Sequence, residues 1–522
     1  MTTNTSQERW YSGITPYQWT VLVVALFGWM LDIYEGQILV ASLGTIVPSL
    51  TQGTEDAFFA WYKYIVSAIS LGTIVPTLPG TEDALVEWYS NFVFVAFLLG
   101  GAVGGVFFGV VSDRLGRKRT MELSILFYTF FAGLSMFAMA MWQLAIFRFI
   151  VAIGIAGQWA ITSAFVAEVF PARARAHTGS IFHASGTLGT FLAAAVGAFI
   201  IGNVLVADWC KTSALITWTQ SIGFESSTLP WRLGFGVGLI PALLLYTVLR
   251  FLKEPDSWKE AREKMKADKT KKAGVISDLF RKECLRSTLV GVSLAGIGLG
   301  TFWGVHIHGK DIMKLAVQRT LVPEEVVVLR PLAIDEEKTD TVADTEQKTV
   351  VFSDAQKNEI KQWTMFGMFL VTAGLLVGQV YFGPLSQRIG RKQAFIFYHI
   401  GAFLIAVPAF LIPFGSQPDQ FYPPIWTLYF FLPVFGFFTA GMHAGYAVYF
   451  PELYPTRLRG TGTGFCFNMG RLVAALALLA LSFLQTKYDV NVAWAILCGL
   501  YLLGPVAIWF AIETKGTELK HT

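Results

Sequence analysis

Apolar runs of about 20 residues, each long enough to cross about 30 Å of hydrocarbon as a helix, recur along the whole chain. The 522-residue chain is 54% hydrophobic and only 15% charged, which is far from the average of soluble proteins. These observations predict an all-α membrane protein with twelve transmembrane helices. We place the helices at residues 17–41, 90–111, 120–141, 143–167, 177–206, 231–252, 287–308, 362–383, 394–414, 424–450, 459–484 and 491–512.

Basic residues cluster in alternate loops. They follow the predicted helices 2, 4, 8 and 10, whereas loops such as 415–423 nearly lack them. The positive-inside rule therefore places the even-numbered loops and both termini in the cytoplasm. The net charge of +4 follows from this topology, so we expect no nucleic-acid partner. The N-terminal residues show no basic region followed by a cleavage site, so no removable signal peptide is predicted.

Two loop motifs each occur twice, in the same order. "GVVSDRLGRKR" (109–119) is similar to "GPLSQRIGRKQ" (383–393), and "EVFPARAR" (168–175) is similar to "ELYPTRLR" (452–459). The copies follow the second and the fourth helix of each set of six. The chain is therefore predicted to contain two pseudo-symmetric six-helix bundles that arose by duplication.

The predicted domain boundaries follow from this repeat. The first bundle covers 1–252 with an external loop at 42–89, and the second covers 287–522 with an external loop at 311–361. The segment 253–286, rich in Lys and Arg, is predicted to be a cytoplasmic linker with helical tendency.

A second, local repeat lies inside the first external loop. "SLGTIVPSLTQGTEDA" (42–57) returns as "SLGTIVPTLPGTEDA" (70–84). A further membrane helix at 58–78 would reverse the topology of the basic loops and would bury Lys63 in the bilayer. We therefore predict that this loop stays outside, and we assign it no chemistry.

The repeated loops resemble signatures of the major facilitator superfamily, one of which is G-x-x-x-D-R-x-G-R-K. The resemblance covers essentially the whole chain and implies a secondary transporter that works by alternating access, with its site near the bilayer midplane between the halves. It also implies a cytoplasmic gate, in which Asp113 pairs with basic groups in one conformation only. Gln387 replaces this acid in the second copy, so we expect a weaker latch there.

A purely topogenic role of the basic loop residues is the alternative to gating. The predicted gating residues are Gly109, Asp113, Arg114, Gly116, Arg117, Lys118, Glu168, Arg173, Gly383, Arg388, Gly390, Arg391, Glu452 and Arg457.

Two carboxylates, Asp32 and Glu35, interrupt the first apolar run, and Arg148 lies early in the fourth predicted helix. From the helical rise, Asp32 lies about 22 Å and Glu35 about 27 Å from the inner face, while Arg148 lies about 7 or 8 Å below the outer face. The depth of Asp32 suits Arg148 best. "LDIYEG" (31–36) resembles patterns of proton-coupled organic-acid permeases and sugar porters, in which the position of Glu35 is linked to coupling. We predict either proton coupling by this trio or a static ion pair.

Arg471 lies about 18 Å from the inner face by the same arithmetic, near the bilayer centre, where an unpaired arginine is expensive. With Asn468 it is a candidate anchor for a substrate carboxylate. A bond to helix-end carbonyls or to a protein acid is the alternative. Gln158 and Trp159 are further candidate substrate-binding residues, although internal packing would also explain them. The histidines at 183, 399 and 443 are isolated in the sequence, and we expect structural roles for them.

Among the branches of the family, the chain is most similar to the carboxylate/sialate:proton symporters. "LKEPDSW" (252–258) matches the sugar-porter segment after helix 6 only in part, and helix 5 lacks the G-P dipeptide of drug/proton antiporters. The expected function is proton-coupled symport of a small organic anion, a carboxylate. A sugar or polyol:proton symporter and a non-transporting membrane sensor remain alternatives.

No nucleophile-base constellation, phosphate-binding loop or cluster of metal ligands is found in the sequence. We therefore predict no enzymatic activity, no catalytic or metal-binding residues, and no cofactor apart from protons as the coupling ion. The expected partners are the organic anion and the lipid bilayer of the cell (inner or plasma) membrane, and the expected state is a monomer.

Overall fold

Every regular element described by the computed structural model is helical. The structure describes residues 9–51, 82–201, 203–212, 221, 225–241, 247–248, 250–267, 272–321, 352–412, 414, 423–485 and 487–520. Its α-helices are α1 (Pro16–Thr51), α2 (Glu82–Leu115), α3 (Arg117–Ser135), α4 (Met141–Val169), α5 (Ala172–Val196), α6 (Val204–Thr212), α7 (Leu229–Gly236), α8 (Asp256–Ala267), α9 (Lys282–Gly304), α10 (Gly309–Leu321), α11 (Asp354–Ile389), α12 (Arg391–Leu411), α13 (Leu428–Gly441), α14 (Ala444–Leu453), α15 (Arg459–Gln485), α16 (Val490–Leu497) and α17 (Leu503–Trp509).

Nine helical segments of the described chain are long and apolar enough to cross a membrane. Of the other three predicted spans, 120–141 and 459–484 largely overlap α3 and α15, whereas 231–252 overlaps α7 only at its start and lies partly outside the described residues. The outward faces of the long helices are apolar, as lipid requires: Phe130 is 62% exposed and Phe430 is 72% exposed. The chain is thus an all-α, multi-pass membrane protein with the predicted order of helices.

The predicted external loops are shorter than expected, because the flanking helices continue into them. α1 extends to Thr51 and α2 begins at Glu82, so part of 42–89 is helical. The extension is explained by Leu43, Ile46 and Val47, which are buried at helical spacing in the core beside α2.

The second loop, 311–361, is likewise helical at both ends, where α10 and α11 carry buried apolar residues such as Met313 and Ile360. The segment 58–78, for which we rejected a further membrane helix, and the polar middle of the second loop lie outside the described residues. The linker 253–286 has its expected helical part in α8.

Glycines at repeated positions pack the helices of each half closely together. A Cβ at Gly100 or Gly104 of α2 would overlap the backbone of α4, and a Cβ at Gly374 or Gly378 of α11 would overlap the backbone of α13. Small residues are the usual means of close packing in membranes, where no hydrophobic force draws helices together. The two halves therefore share one packing scheme.

The two halves meet along helix pairs that are also related by the repeat. Gly109 of α2 packs on Gly460 of α15. A Cβ atom added at Gly109 would lie only 2.6 Å from the carbonyl oxygen of Gly460. Gly383 of α11 packs on α5, where a built Cβ lies 2.7 Å from the Ala176 oxygen. Both contacts lie at the end of the bundle that carries the four loop motifs, which we call the motif end.

We expect Gly104→Ala to lower the thermal stability of the detergent-solubilised protein, because the added methyl group overlaps the backbone of Ile153 and overpacking costs about 1–3 kcal/mol. Gly44→Ala is the matched control, since a Cβ at Gly44 meets nothing within 4 Å and alanine favours a helix by up to about 1 kcal/mol over glycine. Thermal unfolding monitored by tryptophan fluorescence compares the two variants. Equal melting temperatures would contradict the close packing of α2 on α4.

Candidate functional site

A cavity of about 180 Å³ lies between the two halves, near the middle of α1 and α15. Helices α1, α2, α4 and α5 line it from the first half, and α9, α11 and α15 line it from the second. Because both halves contribute to its wall, movement of one half against the other changes its shape.

Aromatic rings form much of the cavity wall, and a small set of polar groups lies among them. Such a wall suits a small ligand with an apolar body and few polar substituents. The aromatic lining residues are Trp29, Phe94, Phe97, Phe302, Trp303 and Phe467. The polar and charged lining residues are Asp32, Gln37, His183, Thr187, Thr190, Gln379, His443 and Arg471.

Asp32 lines the cavity without a basic partner in the described chain. Its side chain is only 1% exposed, and the hydroxyl of Tyr128 lies near its carboxylate. A buried carboxylate without a counter-ion is costly, whereas a protonated carboxyl group is much cheaper to bury. This arrangement is what a site of proton exchange requires.

Glu35, and not Asp32, forms the ion pair with Arg148. Arg148 Nη1 lies 2.9 Å from Glu35 Oε2, and both side chains are fully buried. Arg148 Nε also donates to Ser135 Oγ at 3.1 Å, and its guanidinium lies 4.4 Å from the ring centre of Phe235. The expectation that Asp32 suits Arg148 best is therefore corrected. The Glu35–Arg148 pair joins α1 to α4 behind the cavity wall.

Arg471 of α15 lies at the cavity wall with its charge unpaired. Its guanidinium packs on Gly101 of α2, and its Cζ lies 5.9 Å from the ring centre of Phe467. In the described part of the chain, it has no acidic or hydrogen-bonding partner. A cation in this setting is available to an anion that enters the cavity.

The structure does not bring the other three predicted substrate-binding residues to the cavity surface. Asn468 donates to the carbonyl of Gly464 at 2.8 Å and packs on α2. Gln158 is 3% exposed within α4, and Trp159 stacks on Phe467 with ring centres 3.9 Å apart. The prediction that these three residues bind substrate is therefore corrected: they lie behind the cavity wall, where their side chains pack helices together.

Sequence reasoning expected structural roles for two histidines that the structure places in the cavity wall. His183 and His443 are far apart in the chain and carry no motif, yet they line the same cavity from opposite halves. Gln379 and Thr187 were missed for the same reason, and they form a 2.9 Å hydrogen bond across the two halves. No local sequence signal identifies these residues, because only the packing of the two bundles brings them together.

At the motif end, Arg117 holds two carboxylates of its own half. Its Nη1 lies 2.7 Å from Asp113 Oδ1, and its Nη2 lies 2.8 Å from Glu168 Oε1. All three side chains are fully buried. Gly116, with φ of 108°, makes the turn that begins α3 and so directs Arg117 inwards.

The same two carboxylates bind the second half. Asp113 accepts hydrogen bonds from the backbone N–H groups of Gly460 and Thr461 at 3.0 and 2.8 Å, and from Thr461 Oγ1 at 2.6 Å. Glu168 Oε1 lies 2.7 Å from Arg459 Nη1. These contacts place a carboxylate at the N-terminus of α15 and close the motif end in this conformation.

The second copy of the motif is built in the same way but has fewer direct contacts to the other half among the described residues. Arg391 Nη2 lies 2.9 Å from Glu452 Oε1, and Arg391 Nη1 donates to Gln387 Oε1 at 3.1 Å. Among the described residues, Gln387 bonds only within its own half, and the cross-half partner of Glu452 is Arg175, at 3.7 Å. The weaker latch expected from Gln387 stays a prediction.

The remaining predicted gating residues lie around the buried ion pairs of Arg117 and Arg391 at the motif end. Arg114 donates to the carbonyls of the linker residues Ala273 and Gly274, Arg457 pairs with Asp278 at 2.5 Å, and Arg173 donates to the carbonyl of Ser12. Lys118 lies 3.8 Å from Glu122, and Arg388 accepts from Lys515 through its carbonyl. Gly390, with φ of 98°, repeats the turn of Gly116.

Sequence reasoning also missed two carboxylates that follow the last helix of each half. Glu254 accepts from the backbone N–H of Arg117 at 2.8 Å, and Glu513 accepts from that of Arg391 at 2.9 Å. Partial burial alone would raise the pKa of Glu513, but the backbone N–H groups of Arg391, Lys515, Lys392 and Thr514 hold that pKa below its ordinary value. A glutamate follows the last predicted helix of each half, and this repeated position is the sequence signal that could have identified both residues.

At the opposite end, the halves meet through aromatic rings. Phe94 and Trp303 contact edge to face with ring centres 4.7 Å apart, and Phe191 and Phe369 lie 5.4 Å apart. These contacts contain no ion pairs, so they separate at lower cost than the buried charges of the motif end.

A family model described as the Major Facilitator Superfamily matches residues 60–315 and 356–521. A protein of Cupriavidus pinatubonensis named as a probable 4-methylmuconolactone transporter is 25% identical over 98% of this chain and 94% of its own length. The sialic acid transporter NanX of Escherichia coli is 25% identical over 93% of this chain and 91% of its own length.

A solved structure of the proton:xylose symporter XylE, bound to 6-bromo-6-deoxy-D-glucose, has the same fold. It superposes with a TM-score of 0.61 at 16% sequence identity, covering 96% of this chain and 98% of the other. At this identity the likeness concerns the fold alone.

We expect Glu35→Gln to destabilise the protein by about 3–5 kcal/mol, because it leaves the Arg148 guanidinium buried without a counter-ion. The double variant Glu35→Gln with Arg148→Met removes both charges and should recover most of this loss. Thermal unfolding in detergent compares the variants. A double variant no more stable than the single one would show that the pair is not the source of the loss.

We expect Asp113→Asn to shift the equilibrium towards an open motif end by about 1–3 kcal/mol, because a carboxylate that accepts several hydrogen bonds is lost. Spin labels at Arg119 and Gln393, two exposed positions related by the repeat, report the distance between the halves. Gln387→Ala is the control, since Gln387 bonds only within its own half. Indistinguishable distance distributions in the two variants would argue against gating by Asp113.

Proposed function

This chain belongs to the major facilitator superfamily of membrane transporters, and on that premise we propose that it imports a small organic anion together with a proton. The predicted orientation places the motif end in the cytoplasm of the cell, with both termini on that side. The closed motif end then corresponds to a conformation that is shut towards the cytoplasm.

The observation that carries the proposal is the unpaired guanidinium of Arg471 at the cavity wall. A carboxylate is the ligand that best matches a guanidinium, because two parallel N–H···O bonds can form. Bringing an anion to this site relieves the cost of an unpaired cation inside the membrane. The name of the relative that transports sialic acid, which is itself a carboxylic acid, supports the same class of substrate.

Asp32 is the proposed proton carrier. It lies at the wall of the same cavity, where water and protons can reach it when the outer end is open, and it has no basic partner among the described residues. Glu35 is tied to Arg148 and does not line the cavity. Protonation of Asp32 removes a negative charge from the cavity, so an anion meets less repulsion and binds more tightly.

The buried Glu35–Arg148 pair has a supporting part in this proposal. It fixes α1 against α4, and so it fixes the direction in which Asp32 points. This division gives the two acids different duties, with Asp32 exchanging the proton and Glu35 positioning the helix.

Two alternatives make different predictions. A sugar:proton symporter would have no use for the unpaired Arg471, and hexoses would compete for uptake. A non-transporting sensor would bind its ligand without exchanging it. Counterflow of labelled anion in proteoliposomes separates these cases, because only a transporter exchanges internal for external substrate.

We expect Arg471→Ala to reduce carboxylate uptake at least tenfold, because the anion loses a charge-assisted contact of about 1.5–3 kcal/mol. Arg471→Lys, which keeps the charge but loses the paired geometry, should retain part of the activity. Uptake of labelled lactate, sialate, aromatic acids and hexoses into proteoliposomes at two pH values is the measurement. Unchanged carboxylate uptake by Arg471→Ala would refute the assigned anchor.

We expect Asp32→Asn to abolish acceleration of uptake by an inward proton gradient while counterflow stays within about threefold of wild type, because a neutral amide mimics the protonated acid without releasing its proton. Asp32→Glu is the control that keeps an ionisable group. If Asp32→Asn still concentrates substrate in response to a proton gradient, another group carries the proton.

A further inference from the structure

His183 of α5 and His443, at the start of α14, line the central cavity from opposite halves of the protein. Each side chain is only 6% exposed. The proposed import of an organic anion gives neither residue a role, since Arg471 would hold the carboxylate and Asp32 the proton.

The hydrogen bond to Trp159 fixes the tautomer of His183. Trp159 Nε1 lies 3.1 Å from His183 Nδ1. An indole nitrogen can only donate, so Nδ1 is the acceptor and the imidazole proton is on Nε2. No other hydrogen bond of this ring is formed with the described residues, which leaves an N–H donor at the cavity.

His443 has the same tautomer, but here the protonated nitrogen is the one that is already bonded. Its Nε2 lies 3.1 Å from the carbonyl oxygen of Gly298. A carbonyl can only accept, so Nε2 carries the proton and Nδ1 is unprotonated. Within the described chain this Nδ1 has no donor, which leaves an acceptor nitrogen at the cavity.

Aromatic packing holds both imidazoles in place. The ring of His183 contacts Trp159 with centres 6.1 Å apart, and the ring of His443 stacks on Tyr446 at 5.3 Å. Trp159 and Tyr446 both contact Phe467, which lies at the junction of the two halves. The donor and the acceptor thus belong to one continuous group of rings at the cavity.

We propose that His183 and His443 form a second binding subsite, which recognises a hydroxyl group of the transported carboxylate. The hydroxyl oxygen accepts from His183 Nε2–H, and the hydroxyl proton is donated to His443 Nδ1. A hydroxyl is the smallest substituent that both accepts and donates, and so it satisfies both nitrogens at once. This inference rests on the proposed function and narrows the substrate class to hydroxylated carboxylates.

The subsite also has a consequence for selectivity. An analogue without the hydroxyl leaves a buried donor and a buried acceptor unpaired, and sites built to hydrogen-bond a group discriminate strongly against its absence. Since the two histidines belong to different halves, a bound hydroxyl also joins the halves across the cavity. A correct substrate would therefore favour closure around itself.

The test uses pairs of acids that differ by one hydroxyl: phenylacetate with mandelate, phenylacetate with 4-hydroxyphenylacetate, and propionate with lactate. Binding to the purified full-length protein and competition in counterflow are measured for each pair. We expect wild type to prefer the hydroxylated member of at least one pair by about tenfold or more, which corresponds to the loss of about 1.4 kcal/mol.

Two variants remove the cavity atoms while keeping the structural bonds. His183→Asn keeps an acceptor for Trp159 but has no group in place of Nε2, and His443→Gln keeps a donor for Gly298 but has no group in place of Nδ1. Each should bring the preference for the hydroxylated acid close to one, with affinity for the unhydroxylated acid within about threefold of wild type. His399→Gln, at a buried histidine that does not line the cavity, is the control and should keep the wild-type preference.

Equal affinity of wild type for both members of every pair would overturn the subsite, as would an unchanged preference in the two folded variants. If one variant fails to fold, the other variant tests the subsite. If both fail to fold, the preference of the wild-type protein for hydroxylated acids tests it. Transport of carboxylates without preference for a hydroxyl refutes the subsite alone. Absence of all carboxylate transport refutes the proposed function itself, so the two failures are distinguishable.

Discussion

The shared carboxylate of Glu168 is the interaction on which the arrangement of the two halves depends. It lies between Arg117 of its own half and Arg459 of the other, at 2.8 and 2.7 Å, and all three side chains are fully buried. A buried charge must stay paired, and a pair at this depth is strong only while its geometry holds. If the halves separate, Glu168 would stay with Arg117 while Arg459 would be exposed to water, so the closed and open forms would be two discrete states rather than a continuum.

The two copies of the motif have matching turns and arginines, but they differ in one hydrogen-bonding side chain, Asp113 in the first copy and Gln387 in the second. Turns at Gly116 and Gly390, and the arginines that follow them, occupy matching places. Asp113 nevertheless reaches the N-terminus of α15, while Gln387 stays within its own half. A neutral amide at a helix N-terminus lacks the attraction that a carboxylate has there. One acid therefore makes the interface asymmetric, and most of the polar contact between the halves lies on the side of α2 and α15.

Sequence reasoning identified the fold, the repeat and the motif end, because each depends on local patterns of apolar runs, turns and charges. It placed the buried charges on their helices but could not say which way they point, and so it favoured Asp32 over Glu35 as the partner of Arg148. Asp32 and Glu35, like Asn468 and Arg471, are three residues apart, which is about 60° around a helix. That angle is enough to turn Asp32 and Arg471 to the cavity while Glu35 and Asn468 point between helices. The cavity histidines had no local signal at all, because only tertiary packing unites them.

Helix α15 links the cavity to the motif end. Arg471 faces the cavity from its middle, and its first residues, Gly460 and Thr461, donate to Asp113. Glycines pack the intervening turns on α2, so the two helices touch along this stretch and sliding between them is sterically opposed. If an anion binds at Arg471 as proposed, a force applied there would be transmitted along one rigid element to the contacts of Asp113. Closure of the cavity around a substrate and release of the motif end would then be two effects of a single displacement of α15.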